Sequence, residues 1–169
     1  MWTLAAPDAA YFQTHYSRGK KAAENLLGEA FSKLLVVDRL GSYNIVPGAR
    51  RQFCLPHVIR NFKKMAQRKG IDGRIGQQIV KLLQLLTRID HRRQKGLEIQ
   101  VFRRRCQRVR KKLHHLLKRG ILVGSKKSRG QCEALLDEFG CLFTFVDQPR
   151  FAVDQQRSRA CVASVCHLA

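Results

Sequence analysis

No run of apolar residues in this chain approaches the roughly 20 needed for a helix to span a bilayer, so no helical membrane span is expected. The N-terminal stretch MWTLAAPDAAYF has no basic segment followed by an apolar one and does not read as a secretory leader. No Cys-x-x-Cys pair occurs. Cys54, Cys106, Cys132, Cys141, Cys161 and Cys166 are scattered, which argues against a disulfide framework and against a complete zinc ribbon. There is no glycine-rich phosphate loop, no nucleophile elbow and no internal repeat, so P-loop nucleotide chemistry, elbow-type hydrolysis and solenoid architectures are set aside. Negative charge is scarce: 12 Asp and Glu stand against 33 Lys and Arg, for a formal net charge of +21 and a pI near 10.7. That imbalance points to a polyanionic partner, nucleic acid first and a membrane surface second. A cytoplasmic chain with reduced thiols is the expectation. With 169 residues it fits one domain, or one domain with an insertion.

What is present is concentrated between residues 34 and 57. LLVVDRLGSYN ends a short β-branched-rich run in Asp38, and RRQFCLPH follows after a turn-rich passage. Such a run suits a strand buried on both faces, and a carboxylate at its end lies where open α/β sheets gather ligands and metals. On position alone Asp38 is also explained as a residue that closes a strand or caps a turn. Cys54 and His57 have ligand-like spacing, which is half of a zinc site.

Along the chain, WTLAA and AAYFQTHY read as two strands joined by a turn at Pro7 and Asp8. Ser17 is the expected N-cap of a helix carrying Ala22, Leu26, Leu27 and Ala30 at helical spacing, followed by the strand at residues 34–37. A further short strand is expected over residues 51–55, and a helix from about Pro56 to Gly70. Ile75, Ile79, Leu82, Leu83 and Leu86 mark one helix face, and Leu97, Val101, Val109, Leu113, Leu116 and Leu117 another, so the two pack as a hairpin. Gly120 and Gly124 are expected to break the second helix. SKKSRG then reads as a loop, CEALLDEFG as a helical turn or two, and CLFTFV as a strand-like run. Asp154 is a candidate N-cap near the C-terminus. Between the apolar positions of the second long helix lie Arg103, Arg104, Arg105, Arg108, Arg110, Lys111 and Lys112, more cations than solubility needs and a basic stripe suited to the phosphate backbone; a solvated face is the alternative account.

Taken in order, these segments resemble the transposases of the insertion-sequence-66 group, ribonuclease H-like enzymes with an Asp-Asp-Glu triad. LLVVDRLGSYN is similar to the segment that carries the family's second aspartate, here Asp38, with Tyr43 as its nearby aromatic. RRQFCLPHVIRNF resembles the Cys-x-x-His segment, giving Cys54, His57, Arg60 and Phe62. The resemblance implies DNA as partner, self-association as in transposase assemblies, and Mg2+ or Mn2+ as cofactor. The three carboxylates would hold two ions that activate the attacking oxygen and stabilise the leaving one.

The resemblance also implies departures. It places the family's first aspartate on a strand upstream of Trp2, and Asp8, in a turn, is not its equivalent. In VDQQRSRACVASV, Asp154 and Gln155 fall at two asparagine positions, and Ser158 falls where the third carboxylate belongs, before Arg159. A serine hydroxyl is a poor ligand for a hard divalent ion. The expected fold class is α/β: a partial ribonuclease H-like core with a basic α-helical insertion. Residues 1–70 would form the core without its first strand, 71–124 the insertion, and 125–169 the return to the core with an eroded closing motif. The function implied is that of a transposase-like protein, inactive in metal-dependent cleavage and strand transfer as a truncated or degenerate copy. The alternatives are a non-enzymatic basic nucleic-acid-binding protein and a zinc-stabilised module built on Cys54 and His57.

Overall fold

Trp2 anchors the N-terminal hairpin: its ring is buried and meets Tyr43 edge-on at 5.7 Å, while the indole N–H donates to the Ser17 carbonyl at 3.3 Å. The computed structural model describes residues 2–5, 10–28 and 31–148. Strands β1 (Trp2–Ala5) and β2 (Ala10–Gln13) pair antiparallel, with Trp2 opposite Gln13 and Ala5 opposite Ala10; the Pro7 and Asp8 turn lies outside the described residues. Helix α1 (Lys20–Leu27) starts later than expected. Gly19 takes the N-cap position, and the Ser17 hydroxyl accepts the Gly19 N–H at 3.4 Å, so Ser17 shapes the approach rather than the cap. Ala22, Ala23 and Leu26 are its buried positions, and Ala30 lies outside the described residues.

Strands β3 (Leu35–Val37) and β4 (Arg51–Phe53) pair in parallel, Leu35 opposite Arg51 and Val37 opposite Phe53, and every residue of both is buried. The Cys54 N–H donates to the Val37 carbonyl at 2.8 Å, extending the ladder by one bond. β4 ends at Phe53 rather than Leu55 because helix α2 (Leu55–Ala66) begins there, with Pro56 in its first turn, where the missing N–H costs nothing.

The largest correction concerns CLFTFV. It is not a strand but a 3-10 turn (Phe139–Leu142) followed by a short helix (Thr144–Asp147). Residues 141–146 are all buried, and a short run buried on every side looks the same in sequence whether it is strand or helix. Its polar groups close against β4 without a ladder. The Thr144 hydroxyl donates to the Arg51 carbonyl at 2.6 Å, and the fully buried Gln52 amide accepts the Phe145 N–H at 3.0 Å while donating to the Phe53 and Leu142 carbonyls. A buried amide satisfied at both ends ties β4 to the C-terminal segment.

Helices α3 (Gly70–Gln94) and α4 (Ile99–Val123) pack as the expected hairpin, with Ile75, Ile79, Leu83 and Leu86 against Phe102, Val109, Leu113 and Leu117. Two further corrections fall at its end. Gly120 does not break α4: it sits inside the helix where a Cβ would lie 2.6 Å from Cys132 Sγ, so it permits close packing of helix α5 (Lys126–Leu136). SKKSRG is the first turn of α5 rather than a loop, with Ser125 as N-cap accepting the Ser128 N–H at 3.4 Å. Asp72 of α3 accepts from the Ser125 N–H at 3.1 Å and from the Ser125 hydroxyl. A single apolar cluster runs from Trp2 to Val146, so the helical hairpin shares its core with the strands.

The bonds from Ser125 hold the Asp72 carboxyl below its ordinary value of 3.8, with Ser128 and Arg68 adding to the effect and burial opposing it. A depressed carboxylate contributes stability that is present above the ordinary value and lost as pH falls through the folded one. Asp72→Asn is therefore expected to lower the urea midpoint at neutral pH, with the gap to the parent narrowing as pH falls below the ordinary value of 3.8. A gap that stays constant through acid would contradict this.

Candidate functional site

Asp38 follows β3 directly and is half-buried. Its Oδ1 accepts the Leu40 N–H at 3.0 Å, so the carboxylate caps the turn that leaves the strand. That turn is tight: Arg39 has φ of 74°, in the left-handed region where a side chain is strained. The Arg39 guanidinium lies over the Phe53 ring at 5.5 Å, and its Nε is buried without a hydrogen-bond partner. Burial pushes its pKa down, opposed by Glu138.

Because β3 and β4 are parallel, the ends that carry Asp38 and Cys54 lie on the same edge of the pair. His57, in the first turn of α2, places Nδ1 3.0 Å from Cys54 Sγ. Burial lowers the His57 pKa, the Asp38 carboxylate raises it, and the Arg60 guanidinium lowers it further. Asp38, Cys54, His57 and Arg60 thus share one electrostatic neighbourhood. Tyr43 is fully buried against Trp2, a core aromatic of the turn between β3 and β4. Phe62 is likewise core.

A two-ion site needs several carboxylates converging within coordinating reach. Among the described residues no three His, Cys, Asp or Glu side chains are grouped to hold a metal ion. One carboxylate with a thiol–imidazole pair, and Arg39 and Arg60 nearby, does not make that donor set. Asp154, Gln155, Ser158 and Arg159 lie outside the described residues.

The charge is organised elsewhere. Helix α4 contains no Asp or Glu in its 25 residues. Its cations divide among three flanks set by the helical repeat. Arg104, Lys111 and Lys118 recur every seven residues along the outer, exposed face, with Arg103 also exposed. Arg105, Arg108 and Lys112 border a groove shared with α3. Arg110 turns the other way and is spent on aromatic contacts, 5.3 Å from the Phe143 centroid and 6.0 Å from Phe139. Lys81 and Arg92 of α3 join the groove's rim. The sequence did not single them out, because only the packing of α3 on α4 brings them beside the α4 cations.

A helix-rich α/β chain with a strand-end carboxylate and a long cationic hairpin is the class these features define. The model of the family described as Transposase IS66 family matches residues 1–158, and the chain belongs to that family. No curated protein and no solved structure matches it. Membership implies a transposition-related function, DNA as partner and, for the family in general, dependence on divalent metal. No helix among the described residues is long and apolar enough to cross a membrane.

Proposed function

We propose that this chain acts in DNA transposition as a DNA-binding protein, gripping the duplex through the outer face of α4, and that it does not carry out metal-dependent cleavage and strand transfer. The observation that carries the reading is the absence of any acidic residue along α4 beside its repeated cations. Like charges at i, i+4 destabilise a helix by about 0.2–0.5 kcal/mol per pair, a cost that a polyanion bound along the face removes. At about 1.5 Å per residue the helix is about 37 Å long, comparable to one turn of DNA. Cations at this spacing contact phosphates and position the protein without reading bases.

Loss of the chemistry rests on the donor set. In this reading Asp38 is one carboxylate of the family's ribonuclease H-like metal site, Cys54 and His57 are its companion segment, and Ser158 aligns with the third carboxylate's position without its charge. Asp38 then has only its turn-capping role to perform. Asp38→Ala is accordingly expected to leave duplex affinity within about twofold of the parent in a fluorescence anisotropy titration. A fall of tenfold or more would move the DNA contact to the strand edge and away from α4.

A further inference from the structure

The flank of α4 that faces α3 presents a different surface from its outer face. Two adjoining hollows of about 570 and 310 Å³ run along the hairpin, sharing Leu82 and Lys112. Their floor is apolar: Leu82, Leu85, Ile89, Val109 and Leu116. Leu85 is 38% exposed, a large apolar side chain open to solvent beside the hairpin. The rim is cationic on both sides, with Lys81 and Arg92 from α3 and Arg105, Arg108, Lys111 and Lys112 from α4, and no acidic residue lines either hollow. From Gln78 to Arg92 the groove spans about four helical turns, roughly 21 Å.

We propose that this groove docks an amphipathic helix of a protein partner, with apolar residues on its inner face and Asp or Glu along both edges. A third helix laid between two packed helices places side chains at i, i+3 or i+4 and i+7 onto the floor, while its carboxylates meet the rim. Charge complementarity selects the occupant. Duplex DNA offers the rim its phosphates but has no apolar surface to cover the leucines. A second copy of this chain carries a formal charge of +21 and an α4 without acids, so it meets the rim with repulsion. Lys111 belongs to both the outer face and the rim, so the test rests on the apolar floor, whose residues are not on the outer face of α4.

The test uses a fluorescein-labelled four-turn peptide, with leucines at helical spacing and glutamates flanking them, and a control with the same residues permuted so that no apolar face forms. The purified protein is expected to bind the first peptide in the micromolar range and the control at least about tenfold more weakly. Leu82→Gln is expected to weaken the first peptide by about tenfold while leaving duplex affinity unchanged. Leu85→Glu, at a more exposed position, gives the same result if Leu82→Gln fails to fold. Equal binding of the two peptides would overturn the proposal, since charge alone would then explain it. So would an unchanged affinity in the floor variants. A parallel fall in duplex affinity in the floor variants would make DNA the occupant. Self-association of the parent that Leu85→Glu abolishes, seen by sedimentation, would make it a second copy.

Discussion

Duplex DNA bound to this protein at about 50 mM salt is expected to be held on the order of a thousandfold or more weakly at about 200 mM, the behaviour of a protein that contacts six or more phosphates. The physical cause is counterion release. Each phosphate neutralised by a Lys or Arg frees condensed cations, and added salt opposes that release, so log affinity falls linearly with log salt by about 0.9 per contact. The outer face of α4 supplies Arg104, Lys111 and Lys118 on one line, with no carboxylate on the helix to neutralise them internally. Replacing all three by alanine should make the slope shallower by about 2.7 and should weaken binding to unrelated duplex sequences by the same factor. Alanine is the best helix former, so the fold should survive the change. A slope unaffected by the triple substitution would place the phosphate contacts on another surface. Replacing Arg110 alone makes a useful contrast: its guanidinium lies over Phe139 and Phe143, and its loss should reduce stability more than the salt slope.

Gly76→Ala is expected to destabilise the protein by about 3 kcal/mol, although alanine in a helix interior is favoured over glycine by about 1 kcal/mol. The reason is the corner between α2 and α3. A Cβ at Gly76 would lie 2.6 Å from the Ala66 N and 2.9 Å from the Ala66 Cα, atoms of another helix's backbone that cannot rotate aside. Gly73 meets the same corner, where a Cβ would come 2.0 Å from the Arg68 carbonyl oxygen, and Gly70 enters it with φ of 69°. The α2–α3 contact would have to open, pulling Met65 and Phe62 away from the common core. Against a net stability of roughly 5–15 kcal/mol, a loss of this size shows as a clear drop in the urea midpoint. An unchanged or raised midpoint would mean the corner relaxes freely and the glycines are not needed for it.

The parts of this fold that were legible in the sequence are those where one physical signal acts alone. The apolar run before Asp38 became β3, Pro56 opened α2, and the spacing of Ile75, Ile79, Leu83 and Leu86 gave the buried face of α3. Where two signals share one residue type, the tertiary partner decided. Gly120 carries the mark of a helix breaker, yet its use is to let Cys132 approach. Ser125 looks like loop composition, but with Asp72 behind it the residue caps α5. The burial of residues 141–146 was visible in their composition. Their helical form was not, because it depends on Gln52 and Arg51 lying across from them. The same division holds at the site. The run before Asp38 pointed to a sheet edge; that Cys54 lies on the same edge, with His57 beside it, follows from the parallel pairing of β3 with β4, which the sequence did not reveal. Tyr43, named through the family resemblance, packs in the core against Trp2. The split of the α4 cations into an outer face, a groove rim and an aromatic-stacked arginine requires knowing where α3 and the Phe139–Leu142 turn pack.

The central claim is that this family member binds DNA without performing the family's chemistry. Incubating the purified chain with labelled duplex and Mg2+ or Mn2+, at a salt concentration where binding is saturated, tests it in one sample. Complete binding with no metal-dependent nicked or joined product, and identical behaviour of Asp38→Ala, is the predicted result. Metal-dependent strand transfer that Asp38→Ala abolishes would contradict it.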